Sequence, residues 1–186
     1  MSFRSTILRA LLPILACCLC APAVAETISD EDVKLALIYK ISRFVTWPTV
    51  PDQSREPFKL CLAERTIFDL AQDRFAGRRI RDRDIDVHLL TDSSSDIAET
   101  CDVFYMARLK KERVLQFIEL AGGKPVLTVS DAPEFARAGG MIGLSMQGKK
   151  IAIRINVAAY ESSGLIVSSQ LLELAELVND NRKAKR

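Results

Sequence analysis

The chain is predicted to fold as an α/β/α sandwich with a mainly parallel sheet and an antiparallel C-terminal hairpin. Three observations predict it. Phe58 to Ala63, Ile85 to Leu90, Asp102 to Ala107 and Pro125 to Ser130 are short apolar runs of strand length. Segments with helical spacing lie between them, and strands that alternate with helices pair in parallel. Finally, Met141 to Met146 and Ile151 to Ile155 flank the turn Gln147-Gly148-Lys149, which reads as a hairpin with Ile151, Ile153 and Ile155 on one face.

The 186 residues suit one domain plus a leader, and 48% apolar content is enough for a proper core. Residues 1–25 read as a secretory signal peptide. Arg4 and Arg9 supply its positive region, Ile7 to Cys20 its apolar run, and Ala23-Val24-Ala25 its cleavage site. The run is too short for a spanning helix, and no other segment reaches that length, so no membrane insertion is expected. Ile14-Leu15-Ala16-Cys17 loosely resembles a lipidation site, but Leu before Ala is unusual there, and the cleaved leader is preferred. Residues 26–186 are then a single α/β domain. Cleavage takes the basic count from 26 to 24, equal to the 24 acidic residues. Zero net charge argues against nucleic acid, which calls for a basic face. Three of the five cysteines leave with the leader. Cys61 and Cys101 remain, and an even count in an exported chain suggests a disulfide, the alternative being two buried thiols.

Ser29 to Pro48 reads as a long amphipathic helix, capped by Ser29 or Asp30 and closed by Pro48. Val33, Leu37, Ile41 and Phe44 form one stripe; Leu35, Ile38, Tyr39 and Val45 form a second. Two stripes imply burial on two sides, one of them an interface with a partner or a second copy. Tyr39, Phe44, Val45, Trp47 and Pro48 are the candidate interface residues. Val50 to Pro57 reads as a loop, and Thr66 to Ala76 as a helix stopped by Gly77. The charge run Arg78 to Asp84 reads as a solvated turn, and Thr91 to Thr100 as polar with a short helix near Ile97. Lys110 to Leu120 reads as a helix ended by Gly122-Gly123. Asp131-Ala132-Pro133-Glu134 has the pattern of a capped helix start, with the helix ending at Gly139-Gly140. Asn156 is expected to cap a short helix stopped by Gly164, and Ser168 or Ser169 a last helix that packs through Leu171, Leu172, Leu174, Ala175 and Val178. A frayed basic tail, Asn179 to Arg186, follows.

Catalytic signals are weak. His88 is the only histidine, next but one to Asp86, and too little for a metal site or a triad. Gly143 to Lys150 mimics a phosphate loop but lacks the final Ser/Thr and lies within the hairpin. Outside the leader no C-x-x-C exists, which disfavours a thiol oxidoreductase. The chain is therefore expected to be non-enzymatic, with no cofactor and no metal. One candidate ligand site stands out: Thr128, Ser130 and Asp131 close a predicted parallel strand, where open sheets bind ligands. The blander reading, preferred here, is that Asp131 only caps.

Several stretches together resemble one family. Tyr39 to Pro48, YKISRFVTWP, resembles the YNFAKFVEWP signature of the YfiR-like periplasmic proteins. Pro125 to Asp131 with Phe135 and Gly139-Gly140-Met141-Ile142 resembles a second signature, and Ile153 to Asn156 and Ser168 to Leu172 resemble its end. The resemblance implies a dimeric periplasmic regulator with an α/β sandwich fold. The founding type represses an inner-membrane YfiN-type diguanylate cyclase by binding its periplasmic domain and responds to redox conditions through disulfides. It also implies that Cys61 and Cys101 pair. The chain lacks the second cysteine pair that some relatives carry around Ala136 to Gly143, and has Ser42-Arg43 for Ala-Lys and Thr46 for Glu. The expected function is a repressor that lowers cyclic-di-GMP signalling and restrains biofilm formation. The alternative is a periplasmic small-ligand-binding accessory of a sensor kinase or uptake system.

Overall fold

A computed structural model describes residues 29–48, 56–91, 97–148 and 150–179. The expected leader, most of the Val50 to Pro57 loop, part of the Thr91 to Thr100 stretch, Lys149 of the hairpin turn and the tail beyond Asn179 lie outside the described residues.

Helix α1 spans Asp30–Ser42. Ser29 and Asp32 form a capping box: Ser29 Oγ accepts from the Asp32 amide at 3.1 Å, and the Asp32 carboxylate accepts from the Ser29 amide at 3.0 Å. The Ser29 bonds hold the Asp32 carboxyl below its ordinary pKa. The helix stops at Ser42, not at Pro48 as the periodicity predicts. Val45 and Thr46 are β-branched, and Pro48 forces extended backbone on Trp47, so this stretch goes into strand β1, Val45–Thr46. The candidate interface residues also resolve differently: Val45 and Trp47 are core residues, 0% and 7% exposed.

Next come β2 (Phe58–Leu62), α2 (Arg65–Phe75), β3 (Arg79–Ile80) and β4 (Arg83–Leu89). The predicted solvated turn is thus a hairpin. Arg81 and Asp82 take φ of 46° and 63°, the double positive-φ geometry that matches strand twist, without a glycine. Then follow α3 (Ile97–Thr100), β5 (Val103–Met106), α4 (Lys111–Ala121) and β6 (Leu127–Ser130). No helix follows β6: residues 132–139 form successive turns. Ser130 Oγ, not Asp131, accepts the Ala132 amide at 3.1 Å. Phe135 is driven into the core, and a Cβ at Gly140 would collide with its ring, which is why that position is glycine. The hairpin β7 (Ile142–Gln147) and β8 (Lys150–Asn156) leads to α5 (Val157–Ser162), β9 (Ile166–Val167), α6 (Ser169–Glu173) and β10 (Glu176–Val178). The predicted last helix therefore ends early. Its final residues pair with β8, leaving Leu174 75% exposed and only Leu171 and Val178 of its predicted packing face fully buried.

The strand order is β10-β8-β7-β6-β5-β2-β4-β3, with β1 and β9 as a separate antiparallel pair. Pairs β2–β4, β2–β5, β5–β6, β6–β7 and β8–β10 are parallel; β7–β8 and β3–β4 are antiparallel. The predicted mainly parallel sheet with an antiparallel hairpin is the observed one. Alternation along β5 separates two cores. Val103 and Tyr105 join α1 and α2 on one face; Phe104 and Met106 join α4, α3 and Phe135 on the other.

Cys61 and Cys101 form a disulfide, with Cα atoms 5.7 Å apart and a separation of 40 positions in sequence. It joins β2 to the residue two before β5, and both cysteines are buried. Closing a loop of that length contributes about 4 kcal/mol on the chain-entropy model. The Cys61→Ala/Cys101→Ala double variant is expected to lose about that much in urea unfolding. Peptide mapping of the wild-type protein folded under oxidising conditions should return one linked Cys61–Cys101 pair; two free thiols there would refute the bridge.

Candidate functional site

Helix α1 runs from the carboxyl edge of the parallel strands to their amino edge, and each end carries one candidate feature. At its start the buried stripe is not wholly apolar. Glu31 and Lys34 lie on it with Leu35, Ile38 and Ile41, each at most 7% exposed. Lys34 Nζ sits 2.7 Å from Asp131 Oδ2 and 3.2 Å from Glu31 Oε1. Arg108, which follows β5, reaches Glu31 at 3.3 Å. The buried Tyr105 hydroxyl donates to Glu31 Oε2 at 3.4 Å. Burial opposes the Lys34 ammonium, but Asp131 and Glu31 outweigh it, so its pKa lies above the ordinary lysine value. Burial, then the Asp131 and Glu31 charges, push the Tyr105 phenol far up, so it remains a donor. At the same edge Glu64 caps α2, accepting from the amides of Thr66 and Ile67 at 3.0 Å each. Burial alone would raise its pKa; those amide bonds bring it below the ordinary glutamate value.

Of the predicted ligand residues, only Asp131 belongs to this network. Thr128 Oγ1 accepts the Met141 amide at 3.0 Å, and Ser130 Oγ donates to the Met106 carbonyl at 2.6 Å; both are buried. They brace the chain around β6. Glu31, Lys34, Tyr105 and Arg108 were not singled out by sequence reasoning. The available signal was Lys34 itself, a charge in register with Ile38 and Ile41 on the apolar stripe.

At the other end, β1 and β9 pair Val45 with Val167 and Thr46 with Ile166. The two valines face inward and are buried. Side chains alternate along a strand, so Phe44, Thr46 and Ile166 face outward. Phe44 is 37% and Ile166 64% exposed, and exposed Pro48 lies over Gly164. Arg81 donates to Thr46 Oγ1 at 2.9 Å, and Arg43 is exposed beside Phe44. The predicted interface residues thus divide. Phe44 and Pro48 form an outer corner with Ile166, which sequence reasoning missed because β9 meets β1 only in the fold. Val45 and Trp47 lie beneath it. Tyr39 is half-buried, its hydroxyl donating to the Arg79 carbonyl at 3.0 Å under the Arg78 guanidinium.

Among the described residues no group of three or more His, Cys, Asp or Glu side chains has metal-binding geometry. His88 lies 3.0 Å from Asp86 on the strand where both occur. No described helix is long and apolar enough to cross a membrane.

Residues 31–176 match a family described as YfiR/HmsC-like, DUF4154. The chain belongs to the YfiR/HmsC-like family. YfiR-like proteins are periplasmic and generally regulatory. A crystal structure of a conserved domain protein from Vibrio cholerae O1 biovar El Tor has the same fold. Its TM-score is 0.57 at 14% identity, over 82% of this chain and 60% of that one. No curated protein matches the sequence. The YfiR/HmsC-like match contains all of α1 but its first residue, the disulfide and the β1–β9 pair, so both candidate features lie within the family region.

Lys34 serves two largely buried carboxylates, Glu31 and Asp131. Lys34→Met is expected to destabilise the protein by about 3 kcal/mol, the lower end for breaking a buried pair, because Asp131 keeps 19% of its side chain exposed. The sign with pH follows from the raised pKa. The Lys34 contribution is fully present below the ordinary value of 10.5 and is lost as pH rises through the folded-state value. The gap between wild type and variant should therefore be widest at neutral pH and shrink in alkaline denaturation.

Proposed function

We propose that this YfiR/HmsC-like protein is a non-enzymatic periplasmic repressor of an inner-membrane diguanylate cyclase of the YfiN type. Residues 1–25 are its cleaved signal peptide, and the mature chain works as a homodimer. By binding the inactive form of the cyclase better than the active one, it lowers cyclic-di-GMP and restrains biofilm formation. The observation that carries this reading is the family match across residues 31–176. The corner of Phe44, Pro48 and Ile166 supports a protein contact, since exposed apolar residues grouped at one place fit a partner surface. Val45 and Trp47 serve the contact indirectly, by holding that corner in shape. The burial of both cysteines favours a structural role for the disulfide over redox sensing.

Deleting the gene should raise intracellular cyclic-di-GMP, and complementation should reverse the rise. No change across growth and redox conditions would refute repression of a cyclase. Phe44→Glu/Ile166→Glu should keep stability within about 0.5 kcal/mol of wild type, as exposed substitutions do. It should weaken partner binding by about a hundredfold. Unchanged binding would remove the corner from the interface. Trp47→Ala is expected to cost about 3–5 kcal/mol of stability, so its loss of repression would not separate contact from fold.

A further inference from the structure

A groove of about 780 Å³ lies beyond the carboxyl ends of β5 and β6, between the first turns of α4 and the 131–138 turns. Small-molecule sites commonly have volumes of about 300–1,000 Å³. Its floor is apolar: Leu109, Val114, Leu115 and Phe135. Val114 and Phe135 are buried, but Leu115 is 40% exposed within the groove, an uncovered leucine on a helix that otherwise packs its large apolar side chains inward. Its rim is cationic, with Arg108, Lys111 and Arg137. The rim carboxylates are already engaged, Asp131 by Lys34 at 2.7 Å and Glu134 by Arg137 at 3.6 Å. Lys111 has no ion-pair partner among the described residues. It opens α4, an eleven-residue helix whose N-cap, Lys110, supplies no side-chain cap bond.

We infer that this groove binds a small organic anion with an apolar body, of the class of aromatic or medium-chain carboxylates and sulfonates. The apolar floor takes the body by excluding water, and Lys111 takes the anionic head with half-exposed Arg108 beside it, while Arg137 is held by Glu134 and Glu176. A neutral ligand would leave Lys111 unpaired over an apolar floor, and a cation would meet like charge. The concave shape and its volume favour a small molecule over a protein segment. This site is separate from the Phe44 corner, so it stands or falls independently of the repressor reading.

The test uses the mature protein and two fluorescent probes of similar apolar body: anilinonaphthalene sulfonate, which is anionic, and phenylnaphthylamine, which is uncharged. The sulfonate should bind saturably with one equivalent per chain. Lys111→Glu should weaken the sulfonate about tenfold or more and change the uncharged probe little. Leu115→Glu should weaken both. Both positions are exposed, so the fold is expected to hold; if Leu115→Glu does not fold, Lys111→Glu decides alone. Linear uptake without saturation, or equal sulfonate affinity in wild type and Lys111→Glu, would overturn the inference. So would a Lys111→Glu variant that loses a protein partner while sulfonate binding is unchanged, since the groove would then be a protein contact.

Discussion

The carboxylate of Asp102 accepts the Lys59 amide and the Arg83 guanidinium, each at 2.8 Å. Its backbone amide donates to the Lys59 carbonyl, and its own carbonyl accepts from the Leu127 amide at 2.9 Å and the Trp47 indole at 3.0 Å. One residue, 8% exposed, thus sets the starts of β2, β4, β5 and β6 level with each other and fixes where the segment after α1 lands. The Lys59 amide and Arg83 are half-buried, so losing the carboxylate would strand two polar groups at once. The disulfide beside it adds a covalent tie between β2 and the chain entering β5. Arg83 and Trp47 also meet at Phe58, one over its ring at 5.2 Å and the other edge-on at 5.2 Å.

With that edge fixed, α1 is pinned at both ends. Lys34 and Glu31 hold its first turns to Asp131 and Arg108 at the carboxyl edge, and Trp47 holds the segment after it at the amino edge. Between them Leu35, Ile38 and Ile41 bury almost completely against the sheet. A helix tied by charge at one end, by an indole at the other and by apolar packing between has little freedom to tilt. The corner it delivers is therefore pre-shaped, and a partner that docks there loses little entropy in ordering Phe44 and Ile166.

Local patterns made most of this legible. The parallel strands and helices α2 and α4 follow from apolar spacing, and the C-terminal hairpin from its turn. What escaped was set by contacts far apart in sequence. Trp47 reads as an interface aromatic at the end of a long helix until Asp102, 55 positions away, supplies the acceptor its indole needs. Arg83 sits in a charge run that reads as solvated, yet its guanidinium is drawn inward by Asp102. The 78–84 hairpin was hidden because its positive-φ residues are Arg81 and Asp82 and not glycine or asparagine. Asp131 carries a helix-capping pattern, but Lys34 claims its side chain, and the turns that follow instead bury Phe135. For the final stretch, apolar residues compatible with a helix face also suit β10, and the open edge of β8 decided between them.

The groove and the start of α1 share groups at the carboxyl edge. Arg108 and Asp131 line the groove beyond β5 and β6, and both also belong to the network that anchors α1. An anion that draws Arg108 away from Glu31 leaves Glu31 with Lys34 and Tyr105 alone. The cost of that exchange is modest, because the Arg108 side chain is 55% exposed and its pairing is weakened by solvent. A ligand in the groove can shift the α1 end only by as much as its binding differs between the two pairings of Arg108. Lys34 and the apolar stripe oppose any larger movement, so an anion in the groove would leave the helix as a whole where it lies.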